Sequence, residues 1–316
     1  INDTYIYPTV KNAPNGQIRS ITIGKESLEK STLLVDTNAD SIIDNFAVTS
    51  EGLYFTRIKN GVESKLYRIQ EGEEIHIPLP QPAGKIWLTS KGGRYSDIGI
   101  KTTGWLNPET QYKYVNKQLI EANLSPLPSY PEFENFVVKE VLVKSHDGEE
   151  VPLSIIHQKG IELNGQHPTL MRGYGSHNIS LNPNFSKKPR LQWVAQGGIY
   201  CIAHVRGGGE KGVEWYEAGR KTNKPNTWKD FIACTEYLIN ENYTCPEKMA
   251  ITGGSSGGIT IGRAITARPD LYAVAISEVG GMNMLRADKS PNPGPIIRDH
   301  GNSTDPIECK GLIEMD

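Results

Sequence analysis

Residues 125–131 read Ser-Pro-Leu-Pro-Ser-Tyr-Pro. Three prolines in seven residues fit neither a helix interior nor a central strand, because each removes a backbone donor and fixes φ. The stretch is a stiff connector, and the patterning differs on its two sides. Before it, short runs rich in β-branched and aromatic residues recur at 46–48, 53–57, 65–69, 85–89 and 97–101. Asn60-Gly61 between two of them is a strong hairpin signal. Strands at near-regular spacing indicate a sandwich, barrel or propeller, and no clean internal repeat selects among the three.

After the connector, residues 136–143 and 151–156 flank a second turn at Asp147-Gly148. Strands then alternate with helices. Residues 169–171, 199–204, 249–252 and 273–277 read as strands, and 189–196 and 256–267 as helices. Trp228, Phe231, Ile232, Thr235, Leu238 and Ile239 recur at helical spacing and define one apolar face. Thr227 and Asp230 are spaced as a capping pair at its start. Such alternation implies a mostly parallel, doubly wound sheet covered on both faces. The expected layout is an all-β segment over 1–118, a proline-rich connector over 119–135 and an α/β domain over 136–316.

With 34 basic and 36 acidic residues the chain is nearly neutral, which argues against nucleic acid or an anionic membrane as its main partner. No apolar run approaches the roughly 20 residues that span a bilayer. Cys201, Cys234, Cys245 and Cys309 follow no zinc or redox spacing and read as free thiols. The chain starts at Ile1 without a signal peptide, and both ends read as cut. The expected compartment is the cytoplasm, with periplasm or secretion as the alternative.

Within 249–259, Met-Ala-Ile-Thr-Gly-Gly-Ser-Ser-Gly-Gly-Ile, two overlapping frames satisfy G-x-S-x-G, one centred on Ser255 and one on Ser256. A strand before and a helix after are the context a nucleophile elbow requires: a sharp turn that lifts a hydroxyl clear of the sheet, with small residues for close approach. Spacing alone does not choose the frame, although Ser255 follows the strand more tightly. A second glycine motif, residues 207–212, satisfies G-x-G-x-x-G with Asp230 downstream. Glu210 within that loop would repel pyrophosphate, so the segment reads as a tight turn, and no cofactor or metal is expected.

Arg206-Gly-Gly-Gly-Glu210, the Gly253–Gly258 elbow followed by Arg268-Pro-Asp-Leu271, and Gly173-Tyr-Gly175 before Asn178-Ile-Ser180 resemble, in order and spacing, the prolyl oligopeptidase family of serine peptidases. The resemblance covers about 130–316. It implies an α/β-hydrolase domain preceded by the closing blades of a β-propeller, with peptides as substrates. It implies Ser255 as nucleophile, and the Ser256 N–H and the Tyr174 hydroxyl as oxyanion donors. Arg206 and Glu210 become loop braces. His177 takes the place of a pocket aromatic, and the pocket tryptophan aligns near Ile296, so proline preference is expected to weaken. The triad acid and histidine should follow Ser255 in the chain. The one downstream histidine, His300, falls in a loop rather than the triad position. The 316 residues alone are therefore expected to be inactive. A carboxylesterase or acyl transferase shares the elbow, and a non-catalytic binding protein is the third reading. The sequence leaves the oligomeric state open.

Overall fold

Short strands rich in β-branched and aromatic residues, several joined by tight turns, build antiparallel meanders in the first part of the chain. The computed structural model describes residues 3–24, 27–124, 130–185 and 189–316. Two compact units emerge. The first comprises Ile1–Ser129, Asn182–Phe185 and Glu210–Val213; the second comprises Tyr130–Leu181, Ser186–Gly209 and Glu214–Asp316.

The first unit is all β. Strands β1 (Thr4–Thr9), β2 (Gln17–Thr22) and β3 (Thr32–Val35) form one sheet. A second contains β4 (Ile42–Thr49), β5 (Gly52–Lys59), β6 (Glu63–Gln70) and β7 (Glu73–Ile77), each paired to the next. A third contains β8 (Lys85–Ser90), β9 (Ile98–Thr103), β10 (Thr110–Val115) and β11 (Gln118–Glu121), again in chain order. Four antiparallel strands in sequence order are a propeller blade. The β5–β6 hairpin turns at Asn60 (φ 52°) and Gly61 (φ 73°), both left-handed as in a type I′ turn. Tyr54, Leu66, Ile86, Ile100 and Tyr112 pack together at its core. Strand β11 lies within what the sequence reads as connector, while the prolines at 126 and 128 lie outside the described residues.

The second unit carries a six-stranded sheet: β12 (Phe136–Lys144), β13 (Glu150–Gln158), β14 (Thr169–Arg172), β15 (Ile199–Ala203), β16 (Met249–Gly254) and β17 (Val274–Glu278), in the order β12-β13-β15-β14-β16-β17. The β12–β13 and β13–β15 pairs are antiparallel; the remaining three are parallel. The helices are α1 (Pro189–Ala195), α2 (Val213–Glu217), α3 (Pro225–Asn240), α4 (Gly257–Ala267), α5 (Pro293–His300) and α6 (Pro306–Met315). Leu153, Ile155, Met171, Cys201, Phe231 and Ile251 are buried in its core. This is the α/β-hydrolase architecture.

Two local expectations are corrected. Strand β17 is exposed along its length, so the sheet is not covered on both faces there. Thr227 and Asp230 do not cap α3: the Thr227 hydroxyl donates to the carbonyls of Arg206 and Gly219, and Asp230 binds Arg206. The chain after β17 forms α5 and α6, and prolines at their first turns start those helices rather than break them. All four cysteines are free, and no helix of the described residues is long and apolar enough to cross a membrane.

Candidate active site

The parallel pairing of β16 with β14 and β17 carries the chain to the edge of the sheet and turns it sharply into α4. Ser255 occupies that turn. It is exposed and sits at φ 53°, a left-handed conformation that costs an ordinary residue about 1–2 kcal/mol. The turn is fixed by bonds from the N–H groups of Ser255 to the Glu278 carbonyl (2.8 Å) and of Gly281 to the Ser255 carbonyl (3.2 Å). The glycines are required by space. A Cβ on Gly253 would lie 2.6 Å from the Gly257 carbonyl oxygen, and one on Gly258 only 2.4 Å from Gly280 Cα. In the first turn of α4 the N–H groups of Gly258 and Ile259 return to the carbonyls of Ser255 and Ser256. The N–H groups of Ser256 and Gly257 have no intrahelical acceptor, as at any helix start.

Tyr174 follows β14 in the adjacent loop. Its carbonyl accepts from Thr260 Oγ1 (2.9 Å), which ties the loop to α4. Burial pushes its hydroxyl above the ordinary tyrosine value, although a hydrogen bond with the Ser256 side chain pulls the other way. Tyr174 thus stands beside the residue that follows Ser255.

Four further side chains meet there. Ser256 Oγ lies 3.0 Å from His177 Nε2 and 3.2 Å from His300 Nε2. Asp299 Oδ1 accepts the backbone N–H of His177 (3.0 Å) and faces His177 Nδ1 at 3.6 Å. Asp299 and His300 are 0% and 1% exposed at the end of α5, so His300 belongs to a buried helix end, not to a loop. Burial first, then the charge of Lys224, hold its imidazole neutral, with a pKa driven down to about 3. Lys224 is itself fully buried. Its ammonium donates to the Gly175 carbonyl and to Ser176 Oγ (2.6 Å), and burial depresses its pKa to about 8 against the attraction of Asp299. Lys224 carries no local sequence signal, and Asp299 only its place beside His300.

Arg206 lies in the same unit, fully engaged. Its guanidinium binds Asp230 through Nε (2.9 Å) and Nη2 (2.6 Å), and Asp147 through Nη1 (2.5 Å) and Nη2 (3.1 Å). Burial alone would lower its pKa, but these hydrogen bonds outweigh that and raise it. In return the guanidinium holds the Asp147 carboxyl at about 2. Arg206 thereby joins the β12–β13 turn to α3. Glu210 is 2% exposed and is grouped with the first unit, Arg206 with the second. The glycine loop between them is a tight turn: Gly207 has φ 93°, and a Cβ there would sit 2.1 Å from the Gly175 carbonyl oxygen. Asp230, the carboxylate that the motif would aim at a ribose, is bound to Arg206. Among the described residues, no histidine or carboxylate hydrogen-bonds Ser255 Oγ.

Two family models match the chain: "Prolyl oligopeptidase, N-terminal beta-propeller domain" over residues 1–118 and "Prolyl oligopeptidase family" over 183–308. The prolyl endopeptidase of Elizabethkingia meningoseptica is 34% identical over 311 residues, covering 97% of this chain and 43% of that protein. The Dictyostelium discoideum prolyl endopeptidase is 31% identical over 326 residues, covering 98% and 42%. Among solved structures, a prolyl endopeptidase studied for the role of inter-domain dynamics in catalysis and specificity superposes with a TM-score of 0.92 at 28% identity, over 99% of this chain and 46% of the other. Oligopeptidase B from Trypanosoma brucei, with covalently bound antipain, superposes at 0.85 and 27% identity, over 98% and 46%. The chain therefore spans less than half the length of these relatives.

Proposed function

Because the chain belongs to the prolyl oligopeptidase family, we propose that it supplies the nucleophile and oxyanion hole of a serine peptidase acting on short peptides. The observation that carries this reading is the exposed Ser255 at φ 53° between a parallel strand and a helix. Its hydroxyl attacks the scissile carbonyl, forming an acyl-enzyme as the amine departs; water then releases the acid. Charge gathers on the former carbonyl oxygen. The Ser256 N–H, left without an intrahelical acceptor, and the Tyr174 hydroxyl are the donors placed to receive it, and loss of one such donor costs about 3–4 kcal/mol of barrier lowering. Arg206 holds its loop near the site through its two carboxylates. Proline specificity is weak in this reading, because imidazole and hydroxyl groups of His177, His300 and Ser256 gather beside Ser255, while Ile296 packs with Met284 and Leu312.

Without a base bonded to Ser255 Oγ, the 316 residues alone hydrolyse peptide anilides about 10⁴-fold or more below a complete triad enzyme. The test is a fluorophosphonate probe on the protein that contains this chain, followed by peptide mapping. An adduct on Ser255, absent from Ser255→Ala, is expected. An adduct on Ser256, or none, overturns the assignment.

A further inference from the structure

We infer that His177, Asp299 and His300 form a binding site for a divalent transition-metal ion, zinc being the best match. This does not depend on the peptidase reading. One donor atom from each residue lies within 4.8 Å of the others. Two imidazoles and a carboxylate, with room for a fourth ligand, are a donor set that zinc takes in open sites. Tetrahedral bonds to nitrogen and oxygen put neighbouring donors about 3.3 Å apart. Here one oxygen of Asp299 faces each ring, Oδ1 at 3.6 Å from His177 Nδ1 and Oδ2 at 3.5 Å from His300 Nε2, so the donors must move inward to share one ion.

The second observation is unmet bonding capacity. Asp299 Oδ2, on a residue 0% exposed, is a buried polar atom without a hydrogen-bond partner, although the Tyr216 hydroxyl also stands near the Asp299 carboxylate. A buried carboxylate oxygen with no donor is costly, and a cation satisfies it. The scaffold is rigid where it must be. His177 is held at φ 59° with its N–H on Asp299, and the other two residues are adjacent at the end of α5. His177, 23% exposed at its side chain, leaves a way in. Lys224 opposes the ion by charge, which limits affinity. Ser256 Oγ bonds His177 through Nε2, the nitrogen that does not face Asp299, and must release His300 Nε2 to the ion.

The test is titration of zinc alone, against a chromogenic chelator, into the folded chain. One equivalent should bind with micromolar or tighter affinity, and His177→Asn and His300→Gln should each weaken it at least tenfold. Cobalt should give the intense visible bands of tetrahedral coordination, lost in both variants. Circular dichroism checks the fold. If His300→Gln does not fold, His177→Asn, at the more exposed position and with a residue that accepts positive φ, decides alone. Binding unchanged by His177→Asn, or the weak spectrum of octahedral cobalt, overturns the site.

Discussion

Ser255 pays for its position with backbone strain, and the strain can be measured separately from the hydroxyl. Ser255→Ala and Ser255→Gly both remove Oγ, but only glycine accepts φ 53° freely. The glycine variant should unfold at higher denaturant than the alanine variant, by about 1 kcal/mol. Equal midpoints would mean that the turn relaxes when Oγ is removed. Lys224 supports a prediction in pH. Its folded pKa of about 8 lies below its ordinary 10.5, chiefly because burial disfavours the ammonium. Between those values the unfolded chain still holds a proton that the native state has released, so this residue makes stability rise with pH. Buried Cys201 and Cys234 act oppositely, since burial keeps their thiols protonated while unfolded thiols ionise. The comparison must therefore be with Lys224→Met. From about pH 7.5 to about pH 9.5, wild type should gain about 1–2 kcal/mol relative to the variant in urea unfolding. A constant difference would show that Lys224 titrates normally.

At the scale of elements, the elbow sets helix propensity against packing. Alanine in place of glycine favours a helix by about 1 kcal/mol. At Gly258, however, the added methyl group would meet the Gly280 Cα at 2.4 Å and Ser277 Oγ at 2.8 Å, and backbone cannot rotate away. Overpacking of this kind costs about 1–3 kcal/mol, so Gly258→Ala should lower stability despite the better propensity; a raised midpoint in thermal unfolding would contradict it. This element was legible in the sequence because its signals are local: an apolar strand, the glycines, then an apolar helix face. The Asn60-Gly61 hairpin was legible for the same reason. Helix α5 was not, because Pro291, Pro293 and Pro295 look like breakers until Pro293 is seen to occupy the first turn. Helix α6 carried a signal that could have been used: Asp305 before Pro306, whose carboxylate accepts from the N–H groups of Ile307 and Glu308. The cluster at His177 was beyond local reading, since 122 residues separate His177 from Asp299. The same holds for Arg206, whose partners Asp147 and Asp230 lie 59 and 24 residues away.

At the scale of the whole molecule, the sheet of the second unit ends on β17, which pairs with β16 and has no further neighbour among the described residues. An edge strand offers a row of backbone donors and acceptors to any other strand, and proteins usually cover such an edge or charge it. Here it is neither. Val274 and Ile276 are 50% and 45% exposed, and the chain just beyond adds Val279 and Met282 at 90% and 51%. Apolar surface and unpaired backbone coincide, the combination that drives strand-to-strand association. The 316-residue chain should therefore self-associate as concentration rises, seen as a growing weight-average mass in sedimentation equilibrium. Ile276→Lys adds a charge on that edge without removing a core side chain, so it should restore the monomer while leaving the thermal midpoint nearly unchanged. A wild-type chain that stays monomeric throughout, or a lysine variant that associates equally, would place the association surface elsewhere or show that β17 is protected in solution.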